Sequence, residues 1–249
     1  MYRYKYAFIF PVFLLWIGMI CSCKEETIEL TDSELGISYF PDRPDYWIEY
    51  EIDSVIYDKF TDSVYYHHGY LRQVWDSSFV DNEGRAARRM ASYYRQNLSD
   101  PFDIHPPVMS YYVKTVEKVE LISDNLRTIS LVFPIVNDKK WHGNSYIASE
   151  YEDYTLYNDW LFYYTKSGLP ANINGVSFPK TVTILQNDYE NLIERIYAEE
   201  VYADGVGLIY KKWTDLNLQT SDLSGYVDIE WPERANQGVD ISWQIIAHQ

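Results

Sequence analysis

From Tyr46 to Asp53 the chain alternates without a break, with Tyr46, Ile48, Tyr50 and Ile52 on one parity and Trp47, Glu49, Glu51 and Asp53 on the other. A period of two places successive side chains on opposite faces, so this stretch can only be a strand with one covered and one wetted face. A strand of this kind must find neighbours, and the chain supplies further candidates at short intervals. Tyr70 to Val80 is one, closed by the turn Asp81-Asn82-Glu83-Gly84, whose glycine supplies the positive φ of a tight reversal. Val108 to Leu121 and Leu126 to Phe133 read as two more, joined at Ser123-Asp124-Asn125. Trp160 to Thr165 and Thr181 to Gln186 follow, around a turn-rich piece at Asn172-Ile173-Asn174-Gly175. The hairpin is clearest over Glu199 to Trp213, reversing at Ala203-Asp204-Gly205. Val239 to Ala247 closes the series, with Ile241, Trp243 and Ile245 on one parity.

Other stretches are less decided. Over Arg85 to Gln96, Ala86, Ala87, Met90, Ala91 and Tyr94 have helical spacing, and their residue types favour helix. The preceding turn argues for a return strand, and we take strand. A short helix is expected near Ser145 to Tyr154, a loop over Pro101 to Pro107, and an exposed insertion over Gln219 to Gly238. Asn187 to Arg195 is read as a helical turn or an extended pair. Nine or ten antiparallel strands on short links predict an all-β single meander. It should curl into a half-barrel or incompletely closed barrel with little helix.

Composition narrows function by exclusion. The formal charge of −16 repels nucleic acid, so no nucleic-acid role is expected. Cys21 and Cys23 are the two cysteines, so the chain beyond them has no thiol for a disulfide, a zinc site or a nucleophile. His67-His68 is the only histidine pair and is read as loop surface; His105, His142 and His248 stand alone. Glu49 and Glu51 share a strand face about 7 Å apart, by strand geometry, and alternation predicts a solvent-facing row. There is no Gly-x-Ser-x-Gly elbow and no calcium loop. Catalytic residues, metal ligands and cofactors are therefore not expected, and the chain is read as a non-enzyme.

The first residues, Met1 to Glu26, supply an address. Arg3 and Lys5 precede an uncharged apolar run from Ala7 to Ile20, too short to span a bilayer and of the right length for a secretory signal. The run ends at Ile20-Cys21-Ser22-Cys23, which resembles the bacterial lipobox with Cys23 as the acylated residue. Lys24-Glu25-Glu26 resembles the export signal of Bacteroidota surface lipoproteins. The order Tyr39-Phe40-Pro41 then Tyr46-Trp47 is similar to the start of small lipoprotein domains of that group. These resemblances imply a signal peptide over 1–22, an acidic tether over 23–38 and a β domain over 39–249. They imply an outer-membrane lipoprotein at the cell surface, held by acyl chains on Cys23, since two or more chains make a stable anchor. The segment Tyr202 to Leu208 also resembles a hairpin of half-barrel envelope lipoproteins of the lipoprotein-localisation-factor-like group.

Twenty-five tyrosines are the remaining surplus. Tyr65-Tyr66, Tyr93-Tyr94, Tyr111-Tyr112 and Tyr163-Tyr164 are adjacent, so in strands each pair must present one ring to either face. Tyr111, Tyr112, Tyr163 and Tyr164 are the candidate binding aromatics. The expected role is non-catalytic, in binding or envelope assembly through the sheet surface, with a glycan, a lipid or a protein as partner. The alternatives are a carrier of a lipid or other apolar ligand inside the half-barrel, and a hydrolase of surface glycans.

Overall fold

A computed structural model describes residues 31–103 and 108–249. The signal peptide, Cys23, the Lys24-Glu25-Glu26 signal and His105 lie outside the described residues.

Twelve strands form one antiparallel sheet. They are β1 (Trp47–Asp58), β2 (Ser63–Val80), β3 (Ala86–Arg95), β4 (Val108–Lys114), β5 (Lys118–Ser123), β6 (Leu126–Val132), β7 (Lys140–Trp141), β8 (Phe162–Ile173), β9 (Val176–Glu190), β10 (Glu194–Ala203), β11 (Gly207–Asn217) and β12 (Gln237–His248). Each strand pairs with its sequence neighbours except β6 and β7, which are not paired, and β1 also pairs with β12. The sheet order therefore runs from β6 down to β1, through β12 and down to β7. Pairing β1 with β12 curls the meander into a nearly closed barrel with one unsealed seam, between β6 and β7. Isolated contacts bridge that seam. Ile129 N–H donates to Gly143 O at 2.7 Å, and Trp141 Nε1 donates to Ile129 O at 2.8 Å. The Tyr164 hydroxyl donates to Val132 O at 2.8 Å and accepts from Val132 N at 3.0 Å, so one side chain stands in for a rung of the missing ladder.

The all-β meander is as expected, and Ala86 to Arg95 is strand. The differences in detail have local causes. Val108 to Leu121 is not one strand. The Thr115 hydroxyl accepts from the N–H groups of Glu117 and Lys118 and forces a reversal, giving β4 and β5. His67-His68 is not loop but lies within β2, which starts at Ser63; its first residues run past the end of β3 and pair with β1 alone, while β1 stays paired with β12 on its other side. Asn174 and Gly175, both at positive φ, make a tight turn, so β8 and β9 are far longer than the runs read from sequence. Three register shifts along β8 bend that hairpin, and its tip reaches β1, where Asn174 Nδ2 donates to Glu51 at 2.8 Å. Asn187 to Arg195 is extended about a tight turn. The helix expected near Ser145 is a run of turns leading to a 3-10 segment, Glu152–Tyr157. The 219–238 insertion is largely exposed but tucks Arg234 under itself, with its guanidinium on the carbonyls of Ile229 and Leu192.

The chain enters the barrel through a plug. Helix α1 (Asp32–Leu35) and the 3-10 turn Ile37–Tyr39 lie within the stretch expected as tether. Leu35 O accepts from Ile135 N, and Ser38 O accepts from Gly205 N. Tyr39, Phe40 and Tyr46 are buried across this end. The Lys114 ammonium donates to Ile37 O and Phe40 O, while Asp42 takes Arg88 at 2.5 Å and the Tyr112 hydroxyl at 2.8 Å. The carbonyls of Leu35, Ile37, Ser38 and Phe40 are thus satisfied by the wall, as a buried segment requires.

Candidate functional site: the barrel lumen

The inward parity read from sequence, Ile48, Tyr50 and Ile52, lines the barrel together with Ile245 and Trp243 on the neighbouring strand. These side chains do not fill it. Two chambers remain. One, of ≈ 450 Å³, lies beside Tyr157, Trp160 and Trp213. The other, of ≈ 350 Å³, lies toward the plug, beside Phe40, Tyr50 and Trp75. They share Leu121, Ser123, Asp124, Ser130, Glu200, Lys211 and Trp243 as a common waist.

The outer chamber carries an aromatic cluster. The rings of Trp160 and Trp213 sit 5.3 Å apart at 34°, and Tyr157 lies 5.8 Å from the first and 6.1 Å from the second. Burial, then the nearby Asp215 and Asp124 carboxylates, keep the Tyr157 hydroxyl above its ordinary range and protonated. The plug-side chamber is more apolar, with Ile52, Leu71, Met90 and Leu208 in its wall.

At the waist stands an ion pair. Register places Glu200 on β10 directly opposite Lys211 on β11, and Lys211 opposite Trp243 on β12. The Lys211 ammonium lies 3.3 Å from Glu200 Oε1 and 5.5 Å from the centre of the Trp243 ring. The Tyr202 hydroxyl donates to Glu200 Oε2 at 2.8 Å. Burial first, and the adjacent carboxylate second, push the Tyr202 hydroxyl far above its ordinary pKa, so it stays a donor.

Two bulges aim polar groups into the lumen. In β6 the register steps from Ile129 to Leu131 opposite β5, leaving Ser130 as the extra residue; in β9 it steps from Leu185 to Asn187 opposite β10, leaving Gln186. Both side chains line the chambers, the re-aiming that bulges bring about. The facing wall adds Ser92, Ser110 and Gln73. Among the described residues none of these five side chains has a hydrogen-bond partner, and none is counted among the sealed, unsatisfied atoms, so all are open to the lumen.

The residues singled out from sequence sit elsewhere. The tyrosine pairs split by face, as alternation demands. Tyr112 and Tyr164 are buried, their hydroxyls engaged by Asp42 and by Val132. Tyr111 and Tyr163 are the outward, half-buried members: Tyr111 packs edge-on to Phe79 at 5.3 Å, and Lys140 lies 5.6 Å over the Tyr163 ring. Glu49 does not join a solvent-facing row. Arg72 from β2, at 2.7 Å, and Arg95 from β3 take its two oxygens, and Phe102 lies on both guanidinium groups, leaving Glu49 2% exposed. A carboxylate so held has no free oxygen for acid–base work with Glu51. His68 bonds Asp53 at 2.8 Å and Tyr70 at 3.1 Å on the outer face. Among the described residues no group of three or more His, Cys, Asp and Glu is placed to hold a metal ion. The lumen residues went unremarked in sequence because their identities are ordinary; only their register collects them. Comparison of the chain with protein-family models and with curated proteins finds no match.

Proposed function

We propose that this protein is a non-catalytic container that binds a small apolar or amphiphilic molecule inside its barrel. We further propose that acyl chains on Cys23 hold it at the outer membrane, on the cell surface. The observation that carries the reading is the unfilled lumen. Chambers of ≈ 450 and ≈ 350 Å³ fall within the range of about 300–1,000 Å³ typical of small-molecule sites. Their walls are largely aromatic and aliphatic, with a few polar groups, of which Ser130, Glu200 and Lys211 line both chambers. An uncharged, environment-sensitive naphthylamine fluorophore tests it directly. It should bind with one-to-one saturation, gain intensity and quench tryptophan emission. Leu71→Trp, which fills the plug-side chamber, should abolish the signal while the protein stays folded. Saturation unchanged in that variant would place the probe on the outer surface and remove the reading.

The reading of a binding outer surface keeps one specific support. The β1–β2 hairpin ends in Phe60, 96% exposed, and Tyr66 behind it on β2 is 77% exposed. Isolated apolar groups need no explanation, but a fully wetted phenylalanine at the tip, with Val64 and Tyr66 exposed on one face of β2 and the paired Ile56 and Tyr65 on the other, leaves a hairpin end fit for a partner. Phe60→Ser with Tyr66→Ser should weaken capture of that partner and leave fluorophore binding intact; unchanged capture would remove this second reading.

A further inference from the structure

We propose that the lumen selects an uncharged amphiphile whose head carries hydroxyl groups. The head would be seated against the Glu200–Lys211 pair, which both chambers share, and the apolar end would lie along the chamber walls. The inference rests on the container reading and adds the chemistry of what is contained.

Charge is the first argument. The residues lining the two chambers include one base, Lys211, and two acids, Glu200 and Asp124. Lys211 is already matched by Glu200. Asp124 lies exposed at the β5–β6 turn and adds negative potential at the rim. A carboxylate- or phosphate-headed ligand would therefore find its only cation neutralised and an acid on either side. An ammonium head would have to displace Lys211 from Glu200. Moving a charge out of water without a free partner is costly, so both kinds of charged head are disfavoured.

Hydrogen-bonding capacity is the second. A lysine has three N–H donors, and here one is directed at Glu200 and the others have no protein acceptor among the described residues. The two chambers it borders also carry Ser92, Ser110, Ser130, Gln73 and Gln186, none with a hydrogen-bond partner among the described residues. Serine hydroxyls and amides each both donate and accept. The group that complements such a mixed set is itself both donor and acceptor and carries no charge, which describes a hydroxyl. An alkyl ether or plain hydrocarbon would leave the set dry and unsatisfied, at a cost for each group.

Spatial order is the third. Ser130, Glu200 and Lys211 line both chambers, Gln186 lines the outer one, and Gln73, Ser92 and Ser110 line the plug-side one. Tyr157, Trp160 and Trp213 offer ring faces in the outer chamber, and Ile52, Leu71, Met90 and Leu208 offer aliphatic wall on the plug side. An apolar end can thus lie against either wall while the head meets the Glu200–Lys211 pair that both chambers share.

Displacement of the naphthylamine fluorophore tests this, using decyl glucoside, decanoate and decylammonium, each below its micelle concentration. The glucoside should displace at a concentration at least about tenfold lower than either charged chain, a difference of about 1.4 kcal/mol. Glu200→Gln keeps the side-chain shape and frees Lys211, so decanoate should gain about tenfold there. Lys211→Met frees Glu200 and should favour decylammonium instead, which covers the case in which Glu200→Gln folds poorly. A fluorophore that binds wild-type protein while all three heads compete equally, or while decanoate competes best, overturns this inference and leaves the container reading standing. If the fluorophore fails to enter at all, the container reading falls and this inference with it.

Discussion

Glu120 and Glu200 are both removed from solvent, at 1% and 7% exposure, yet they are held in opposite ways. Glu120 lies on the outward parity of β5, next to the inward Leu121. Arg85 at 2.8 Å, Arg127 at 2.5 Å and Lys118 at 2.6 Å surround it, and Asp81 and Glu83 hold the two arginines from behind. Both of its oxygens are used, and the cluster ties the β2–β3 turn to β5 and β6. Glu200 faces the lumen with one lysine and one tyrosine, and that lysine keeps donors to spare. The first arrangement is closed and the second is open. A carboxylate saturated by protein groups serves the fold, whereas one whose partner still has capacity is available to something that enters.

That contrast can be broken most forcefully at Glu120. Glu120→Ala leaves three cations facing one another, and removing one member of a buried ionic cluster costs about 3–5 kcal/mol. We expect about 3 kcal/mol by urea denaturation, because Asp81 and Glu83 still retain the two arginines. A loss below about 1 kcal/mol, the range of exposed pairs, would place Glu120 among ordinary surface charges.

Acid should find the same cluster. Burial raises the Glu120 pKa, but hydrogen bonds from Lys118, Arg127 and Arg85 outweigh it and hold the group at about 2, against an ordinary 4.5. Its folded pKa is depressed, so the unfolded chain takes up the proton first. The stability it contributes is complete above pH 4.5 and is lost as pH falls toward 2. Asp42 and Asp76 are also held below their ordinary range and steepen the same limb: at Asp42 burial raises the pKa but Arg88, Tyr112 and Lys114 together outweigh it, and at Asp76 the Arg89 hydrogen bond outweighs burial. In Glu120→Gln the slope of stability against pH should be measurably shallower between pH 4.5 and 2. An identical slope in the variant would show that the other carboxylates carry the whole acid limb.

How much of this was legible in the sequence differs between the two glutamates for a definite reason. Alternation displays inward and outward parity, so Ile48, Tyr50, Ile52, Trp243 and Ile245 could be assigned to one wall, and the splitting of each tyrosine pair followed. The meander and its incomplete closure followed from strand count and short links. Register across bulges is not displayed. The Ala203-Asp204-Gly205 hairpin, continued without interruption, would set Glu200 opposite Tyr210. The extra residue Ile209 shifts the pairing by one and delivers Lys211 instead. Ser130 and Gln186 reach the lumen by the same device. Covering of outward carboxylates is equally hidden. Glu49 is closed over by arginines 23 and 46 residues away, and alternation carries no information about such distant partners. Of the two shapes expected, the incompletely closed barrel was legible, but the chemistry of its interior depended on three single-residue insertions.

Tyr202→Phe probes the open cluster from its protein side. The hydroxyl donates to a charged oxygen inside the wall, and hydrogen bonds to charged groups contribute about 1.5–3 kcal/mol. We expect a loss near the lower figure, because Glu200 keeps Lys211 and lumen water can approach the vacated lone pair. A loss as large as that of Glu120→Ala, by the same denaturant measurement, would mean that Glu200 is closed after all.

The smallest effect should come from Glu200→Gln, which is where the comparison becomes sharpest. The amide oxygen can still accept from Tyr202, and Lys211 keeps the Trp243 ring beside its ammonium with 30% of its side chain exposed. Nothing is left dry and unpaired, so the usual penalty for splitting a buried pair does not arise. Stability should change by less than about 1 kcal/mol, in keeping with a partly solvated pair. A double-mutant cycle with Lys211→Met separates the pair's own coupling from these side effects. That coupling should fall below that of the equivalent Glu120–Arg127 cycle, measured under the same conditions. Equal coupling in the two cycles would mean that the lumen pair is as tightly bound to the fold as the outer cluster. The lysine would then have no capacity left to offer a ligand, and the distinction between the closed and open glutamates would be lost.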